Sequence, residues 1–421
     1  MVFQSLFHMF KKLLPYALQT QIGIFITLVF ILFGLYISNT EPRIGATWIV
    51  GGVFGLILQR SRLCFASAFR DLFLFGSGHN MKGILLGLSI SAIGFTAIMY
   101  WLLPNTGVIG SYPSEAHILP SGISVIIGGV LFGFGMVIAG GCVSGTLYRI
   151  AEGYITSWIT LVGILIGLIL LTISWNWWWD NLISKEPRIW LPNLFDGNFG
   201  YTWSLFFTLL LLLLVYLFII FIESRNNIFQ PIISKKINNQ NNFVDRVNSS
   251  LINIFKKGWP IYIGTTALGG LAVLSYLIHT PLGVTGELMS ISHRSMSLFS
   301  INIPELKGLS DISGCIGNMD DSSVLTYSFA MTIGLLPGAF VGALFSGEFK
   351  IRIPNKDILL KRFSQSFFGG IFMGYSSGLA LGCTIGAFFS AIPSLSLSGW
   401  IFALSLAFGA FIGTKIIKRI G

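Results

Sequence analysis

Long apolar runs separated by short polar stretches set the pattern of this chain. Ile22–Ile37, Gly83–Leu103, Ile159–Ile173, Leu205–Ile222 and Ser328–Phe345 read as helices that cross a bilayer. Four more apolar segments, Ile49–Gly76, Gly122–Arg149, Ile263–Ser300 and Ser364–Ile392, are interrupted by glycines and polar residues. Each is expected to cross once as a broken helix, because non-helical backbone at membrane depth is tolerated only where protein or a wet cavity encloses it. The expected fold class is an all-α polytopic membrane protein with broken or re-entrant helices. The sharpest interruption is VIAGGCVSGTLYR, Val137–Arg149. There an apolar run stops at Gly140-Gly141, presents Cys142, and restarts through Ser144 and Gly145.

The pattern also divides the chain. The stretch NNQNN, Asn238–Asn242, lies among lysines and serines without apolar periodicity and reads as a flexible connection. The expected organisation is an N-terminal signal-anchor span (1–45), a first membrane repeat (46–223), an Asn-rich cytoplasmic linker (224–260) and a second, inverted repeat (261–421). The two repeats are related in sequence. GGVLFGFGMVIAGGCVSG (Gly128–Gly145) aligns without a gap to GGIFMGYSSGLALGCTIG (Gly369–Gly386), with seven of eighteen positions identical. The identities include the pairs Gly141/Gly382, Cys142/Cys383 and Gly145/Gly386, which is a specific sign of duplication. A weaker pairing sets Gly51 against Gly269 and Cys64 against Gly283.

Composition agrees with the pattern. Only 10% of the 421 residues are charged and 53% are hydrophobic, with a mean hydropathy of +0.78. Soluble domains carry roughly 25% charged residues. A net charge of +10 would otherwise raise nucleic acid as a partner. The basic residues lie between apolar spans, however, so they report topology and no nucleic-acid partner is expected. Lys11 and Lys12, the basic segment Glu223–Pro260, the segment Gly347–Phe363 and the tail with Lys415, Lys418 and Arg419 belong on the cytoplasmic side. Pro104–Ser121 has no lysine or arginine, and Asn302–Ser323 has one lysine among several acids. Both are expected to face outward, with the interfacial aromatic stretch WNWWWDN (Trp175–Asn181). Both termini then lie inside. The first copy of the Gly-Cys break follows a non-basic loop and the second follows a basic one, so the copies enter the membrane from opposite sides. That is the inverted-repeat plan common among transporters, with the solute site where the repeats meet.

The breaks bring few functional side chains. Cys64, Cys142 and Cys383 stand at three of them, without a carboxylate or histidine at those positions. Half-helices that restart near Ser144 and Ile385 would point positive dipole ends inward, which favours an anion. Arg60, Arg62, Arg70 and Arg149 would concentrate anions near the ends of the broken segments. Thiols are soft, polarisable and weakly donating, so three along one path suggest a sulfur-bearing solute. Gly141, Gly145, Gly382 and Gly386 support the cysteines by shaping the breaks. Glu287, in GVTGELMS, is an acid inside an apolar break and so a candidate for function. Gly-Cys in a single membrane helix is ordinarily small-residue packing; only the duplication lifts Cys142 and Cys383 above that reading. Cys315, in the outward loop SGCIGNMDD, has no partner in the other repeat. No metal site and no cofactor are expected, since the five histidines are scattered and no Cys-x-x-Cys occurs.

QRSRLCFASAFRD (Gln59–Asp71), FGFGMVIAGGCVSGTLYRIAEGYITSWI (Phe132–Ile159) and GGIFMGYSSGLALGCTIGAFFSAIP (Gly369–Pro393) resemble the signature segments of the YeeE/YedE family of bacterial inner-membrane proteins. TGEL at Thr285–Leu288 is similar to a further segment of that family. The resemblance covers most of the chain from about Trp48 onward. It implies a compact inverted-repeat transporter that takes up thiosulfate, with three cysteines passing the ion by S–H hydrogen bonds. The family's motif cysteines fall on Cys64, Cys142 and Cys383, and Cys315 has no counterpart. A small cytosolic sulfur-carrier protein is the partner the resemblance implies, beside thiosulfate or a related sulfur anion and membrane lipid. Some relatives are associated with selenium metabolism, which leaves selenite or sulfite as alternative solutes.

The expected function is therefore uptake of thiosulfate as a sulfur source, with no catalytic role. The ion is expected to meet Cys142 and Cys64 first and to leave past Cys383. A membrane thiol oxidoreductase is the alternative from another class, and it would call for a redox-active cysteine pair.

Overall fold

The computed structural model describes residues 2–104, 111–113, 115–195, 199–225, 258–298, 306–308 and 325–420, with side chains from residue 18 onward. The Asn-rich stretch and Cys315 lie outside the described residues. Among the described residues the fold is helical throughout, and nine helices have the length and apolarity to cross a membrane. The chain is a polytopic all-α membrane protein.

The first half begins with α1 (Val2–Thr40), followed by α2 (Pro42–Ser61), α3 (Phe65–Phe75) and α4 (His79–Leu102). It continues with α5 (Ile123–Ala139), α6 (Val143–Ala151), α7 (Ile155–Asn181) and α8 (Gly200–Arg225). The second half contains α9 (Ile261–Ile278), α10 (Thr285–Leu298), α11 (Tyr327–Ser346), α12 (Lys356–Leu379) and α13 (Leu397–Ile420). A short π-helical segment, Thr384–Ser390, lies between α12 and α13 and bends by 47° from α12. The long apolar runs fall inside α1, α4, α7, α8 and α11, and each of the four interrupted segments contains a real break. The breaks have local causes. Proline at the first position starts α2. α2 and α5 stop where Arg62 and Gly140 turn left-handed, at φ of 50° and 77°.

Much of the packing in the first half has a counterpart in the second. α7 packs on α12 as α13 packs on α5, and α2 packs on α11 as α9 packs on α4. Likewise α3 lies on α13 as α10 lies on α7. At the centre α5 and α12 run antiparallel with reciprocal contacts. A Cβ added at Gly128 would lie 3.2 Å from the Ser376 carbonyl oxygen, and one at Gly135 would lie 2.8 Å from the Gly369 carbonyl oxygen. Gly128 aligns with Gly369 and Gly135 with Ser376, so the two aligned segments touch through equivalent positions. Helices without side chains at their crossing come close enough for dispersion contacts to replace the hydrophobic drive that lipid removes.

The two breaks share one backbone turn. Cys142 has φ −83°, ψ 178° and Cys383 has φ −89°, ψ −170°. The Gly141 N–H reaches the Met136 carbonyl at 3.1 Å, and the Gly382 N–H reaches the Ser377 carbonyl at 2.8 Å. The Thr146 and Ala387 N–H groups each return to the cysteine carbonyl at 2.8 Å. α1 and α8 stand outside this plan, and their exposed leucines, isoleucines and phenylalanines form a lipid-facing periphery.

Contacts define the two ends of the bundle. At one end Lys82 pairs with Glu223 at 2.8 Å and Arg62 with Glu348 at 2.6 Å. The Arg352 N–H reaches the Gly153 carbonyl at 2.8 Å there. At the other end the Tyr112 hydroxyl donates to the Arg188 carbonyl at 3.1 Å, and Lys307 pairs with Asp180 at 2.8 Å. Glu186 holds the start of α5 there by accepting from the Ser124 N–H at 2.7 Å and from its hydroxyl.

Candidate functional site

The helix breaks place the cysteines in the core. Cys64 ends the three-residue link from α2 to α3, and Cys142 ends the link from α5 to α6. Seventy-eight positions apart in sequence, their sulfurs meet at 3.9 Å, and both thiols are free and buried. That separation is a thiol–thiol contact, far from the ~2.05 Å of a disulfide. The Gly145 N–H donates to the Cys142 sulfur at 3.4 Å, and the Ser144 hydroxyl lies 3.5 Å from the same sulfur. Cys142 thus caps α6 with its side chain, a role usually taken by serine or aspartate.

Gly145 leaves the room that the pair occupies. A Cβ there would lie 2.9 Å from the Cys64 sulfur and 3.2 Å from the Cys142 sulfur. Gly141 lies on the other side of Cys142, beside Arg149, whose Nη1 donates to the Gly140 carbonyl at 2.5 Å. A positive side chain therefore fastens the left-handed corner of the break.

Cys383 occupies the equivalent turn in the second half and is also free and fully buried. Its N–H donates to the Thr285 hydroxyl at 3.1 Å. Gly382 and Gly386 flank it, and the Gly386 carbonyl accepts from His117 Nδ1 at 3.2 Å. The His117 N–H also donates to the Ser394 hydroxyl at 3.2 Å, so the 115–122 segment is tied to the Cys383 turn. Phe65, next to Cys64, contacts Phe388 and Phe389 edge-on with ring centres 6.1 and 5.8 Å apart. The two cysteine regions therefore adjoin through an aromatic contact.

The sequence-derived positions separate into groups. Cys64, Cys142, Gly141 and Gly145 come together at one break, and Cys383, Gly382 and Gly386 at the other. Glu287 is 1% exposed in the first turn of α10, two residues from Thr285. Its Oε2 has no protein partner among the described residues. Arg62 lies elsewhere: its side chain is 69% exposed and is paired with Glu348. The inward basic residue of that segment is Arg60, 1% exposed and 3.9 Å from Glu348. Gln59 completes this hub by donating from Nε2 to Glu152 and Glu348, each at 3.1 Å.

The two breaks lie toward different ends of the bundle. The Cys142 break opens toward the end that carries Arg352, because Gly140 and Gly141 line a cavity there. The Cys383 turn instead joins His117, on the segment that includes Tyr112 at the opposite end. Spacing along a broken helix does not give depth, and this placement follows from where α5 and α12 begin. Sequence reasoning also missed Thr285 and His117. Thr285 opens the TGEL segment, whereas a single histidine in a loop gives no signal.

An all-helical membrane protein whose breaks gather buried thiols has the build of a solute transporter. The chain belongs to the Sulphur transport family, whose model matches residues 60–412. It is 27% identical over 384 residues to the thiosulfate transporter TsuA of Spirochaeta thermophila, covering 88% of this chain and 98% of that one. It is 24% identical over 371 residues to the thiosulfate transporter TsuA of Escherichia coli, covering 88% and 93%. It is also 34% identical over 197 residues to the probable transporter YedE of Salmonella typhimurium, covering 46% of each. The family and these relatives are transporters, so the chain is a membrane transport protein for a sulfur anion and not an enzyme.

Proposed function

We propose that this protein takes thiosulfate inward across the bacterial inner membrane as a sulfur source, through a path that includes Cys383, Cys64 and Cys142. The observation that carries the reading is the buried pair Cys64–Cys142 at 3.9 Å, framed by Gly145. A neutral thiol donates weakly to the terminal sulfur of thiosulfate, so the ion is recognised without being trapped. Arginine in the same place would hold a dianion far more strongly, through charge-assisted bonds. Alignment with the two thiosulfate transporters over 88% of this chain supports the same solute class.

Basic residues at the Arg62, Arg352 and Lys82 end support placing that end, with both termini, in the cytoplasm. The ion then meets the Cys383 region before the Cys64–Cys142 pair. Antiparallel α5 and α12, their reciprocal glycine contacts and the shared turn at Cys142 and Cys383 support an inverted repeat. A small cytosolic sulfur-carrier protein would receive the sulfur inside.

The test is radiolabelled thiosulfate influx into proteoliposomes, wild type beside Cys142→Ala, with sulfate, sulfite and selenite as competitors. Saturable influx that sulfate does not compete for and the substitution abolishes is expected. Wild-type influx in a correctly inserted Cys142→Ala protein would remove the thiol path. Influx of selenite or sulfite in place of thiosulfate would move the solute within the same class.

A further inference from the structure

At the end of the bundle that carries Arg62 and Glu348, a cavity of about 360 Å³ reaches inward to the backbone of Gly140 and Gly141. Four arginines line it, each from a different element: Arg70 of α3, Arg149 of α6, Arg352 of the segment between α11 and α12, and Arg362 of α12. No aspartate or glutamate is among the described residues that line it. The arginines are oriented mainly by neutral groups. Arg149 donates to the Gly140 carbonyl, and Arg352 donates to the Glu152 and Glu348 carbonyls at 3.2 and 2.9 Å. Arg352 also lies over the Tyr154 ring, 4.6 Å from its centre. Arg362 bonds the Gln365 amide oxygen at 3.5 Å. Among the described residues Arg70 alone of the four is in an ion pair, with Asp71 at 2.9 Å, while the Glu152 carboxylate acts on Arg352 and Arg149 at longer range.

A carbonyl oxygen holds a guanidinium in place without cancelling its charge. Several such groups around one concave space make a positive field whose walls of low dielectric strengthen it. Each guanidinium offers paired N–H donors that match the oxygen spacing of a tetrahedral oxyanion. The cavity exceeds what one small anion fills, so the site accommodates a partly hydrated dianion. Its floor is the peptide next to Cys142, and its Arg149 wall is the same side chain that fastens that turn.

We propose that this vestibule is a second oxyanion site, taking divalent tetrahedral anions such as thiosulfate, sulfate and phosphate through Arg70, Arg149, Arg352 and Arg362. The thiols discriminate by softness, and the vestibule receives whatever they pass, binding by charge and oxygen geometry alone. Its role as the release station rests on the transport reading above; its anion binding does not.

The experiment is calorimetric titration of sodium sulfate into the purified full-length protein in uncharged detergent at low chloride. It is repeated on Arg362→Gln, on Arg352→Gln/Arg362→Gln and on Cys142→Ala. Arg362 sits on the exposed rim, so its single variant guards against loss of fold. Sulfate binding that weakens at least about tenfold in the double variant, measurably in the single one, and persists in Cys142→Ala is expected. Binding unchanged by both arginine variants, or no sulfate binding by the wild type, would overturn the proposal. The same salt series is run against short-chain phosphatidylglycerol. Displacement of this lipid by sulfate supports a soluble-anion site; lipid binding that sulfate cannot displace assigns the cluster to a headgroup and overturns it. Arginine-dependent sulfate binding in a protein that fails to move thiosulfate would leave the site standing and remove only the transport reading.

Discussion

Replacement of Gly145 by alanine tests the thiol pair with a single methyl group. The added Cβ would lie 2.9 Å from the Cys64 sulfur and 3.2 Å from the Cys142 sulfur. Relaxation to an ordinary contact of about 3.4 Å or more moves the Cys64 sulfur by at least roughly half an ångström. The pair begins at 3.9 Å, already at the outer reach of a sulfur hydrogen bond, so displacement of either sulfur disrupts it. The cost to the fold is small. Gly145 lies within α6 and its φ is not positive, so alanine gains about 0.5–1 kcal/mol of helix stability. A displaced cysteine rotamer costs about 0.5–1.5 kcal/mol, which largely cancels that gain. The net change in stability is therefore within about 1 kcal/mol. Flux is expected to fall at least about tenfold, as misplacement of reacting groups by fractions of an ångström commonly does. The assay is the initial rate of thiosulfate entry into proteoliposomes, with thermal unfolding of the same preparation alongside. Wild-type flux in a Gly145→Ala protein of wild-type stability would refute the claim that thiol separation matters.

Three further outcomes follow from the geometry. Cys383→Ala is expected to insert normally, keep the Cys64–Cys142 pair and lose uptake; normal uptake would show that the second break lies off the path. Burial holds the His117 imidazole at about 4, below its ordinary 6.5, against the opposing hydrogen bond to Gly386. The neutral form is thus favoured on folding, so its contribution is full above pH 6.5 and is lost as pH falls toward 4. The difference amounts to about 3 kcal/mol, and His117→Asn should flatten that part of a pH series of melting temperatures. Glu186 caps α5 through the Ser124 N–H and hydroxyl, so Glu186→Ala is expected to lower stability by about 1–2 kcal/mol. An unchanged melting temperature would show that water replaces the cap at no cost.

Membrane class, the broken segments and the twice-occurring Gly-Cys turn were determined by the sequence itself. A span needs about twenty apolar residues in succession, and a break needs glycine or polar residues inside one; both are properties of contiguous residues. The likeness of the Cys142 and Cys383 turns was legible for the same reason, because one local residue pattern folds into one local turn. The tertiary structure alone decided which groups meet. Cys64 lies beside Cys142 because α2 and α5 end at the same depth, and His117 reaches Gly386 across 269 positions. Arg62, adjacent to the Cys64 motif, turns away to Glu348, whereas Arg149, Arg352 and Arg362 converge on one cavity. The end of the bundle toward which each break lies also had to come from the fold. Close helix crossings, governed by contacts such as Gly135 on Gly369, set depth and lateral position in the bundle, and spacing along the chain carries neither quantity.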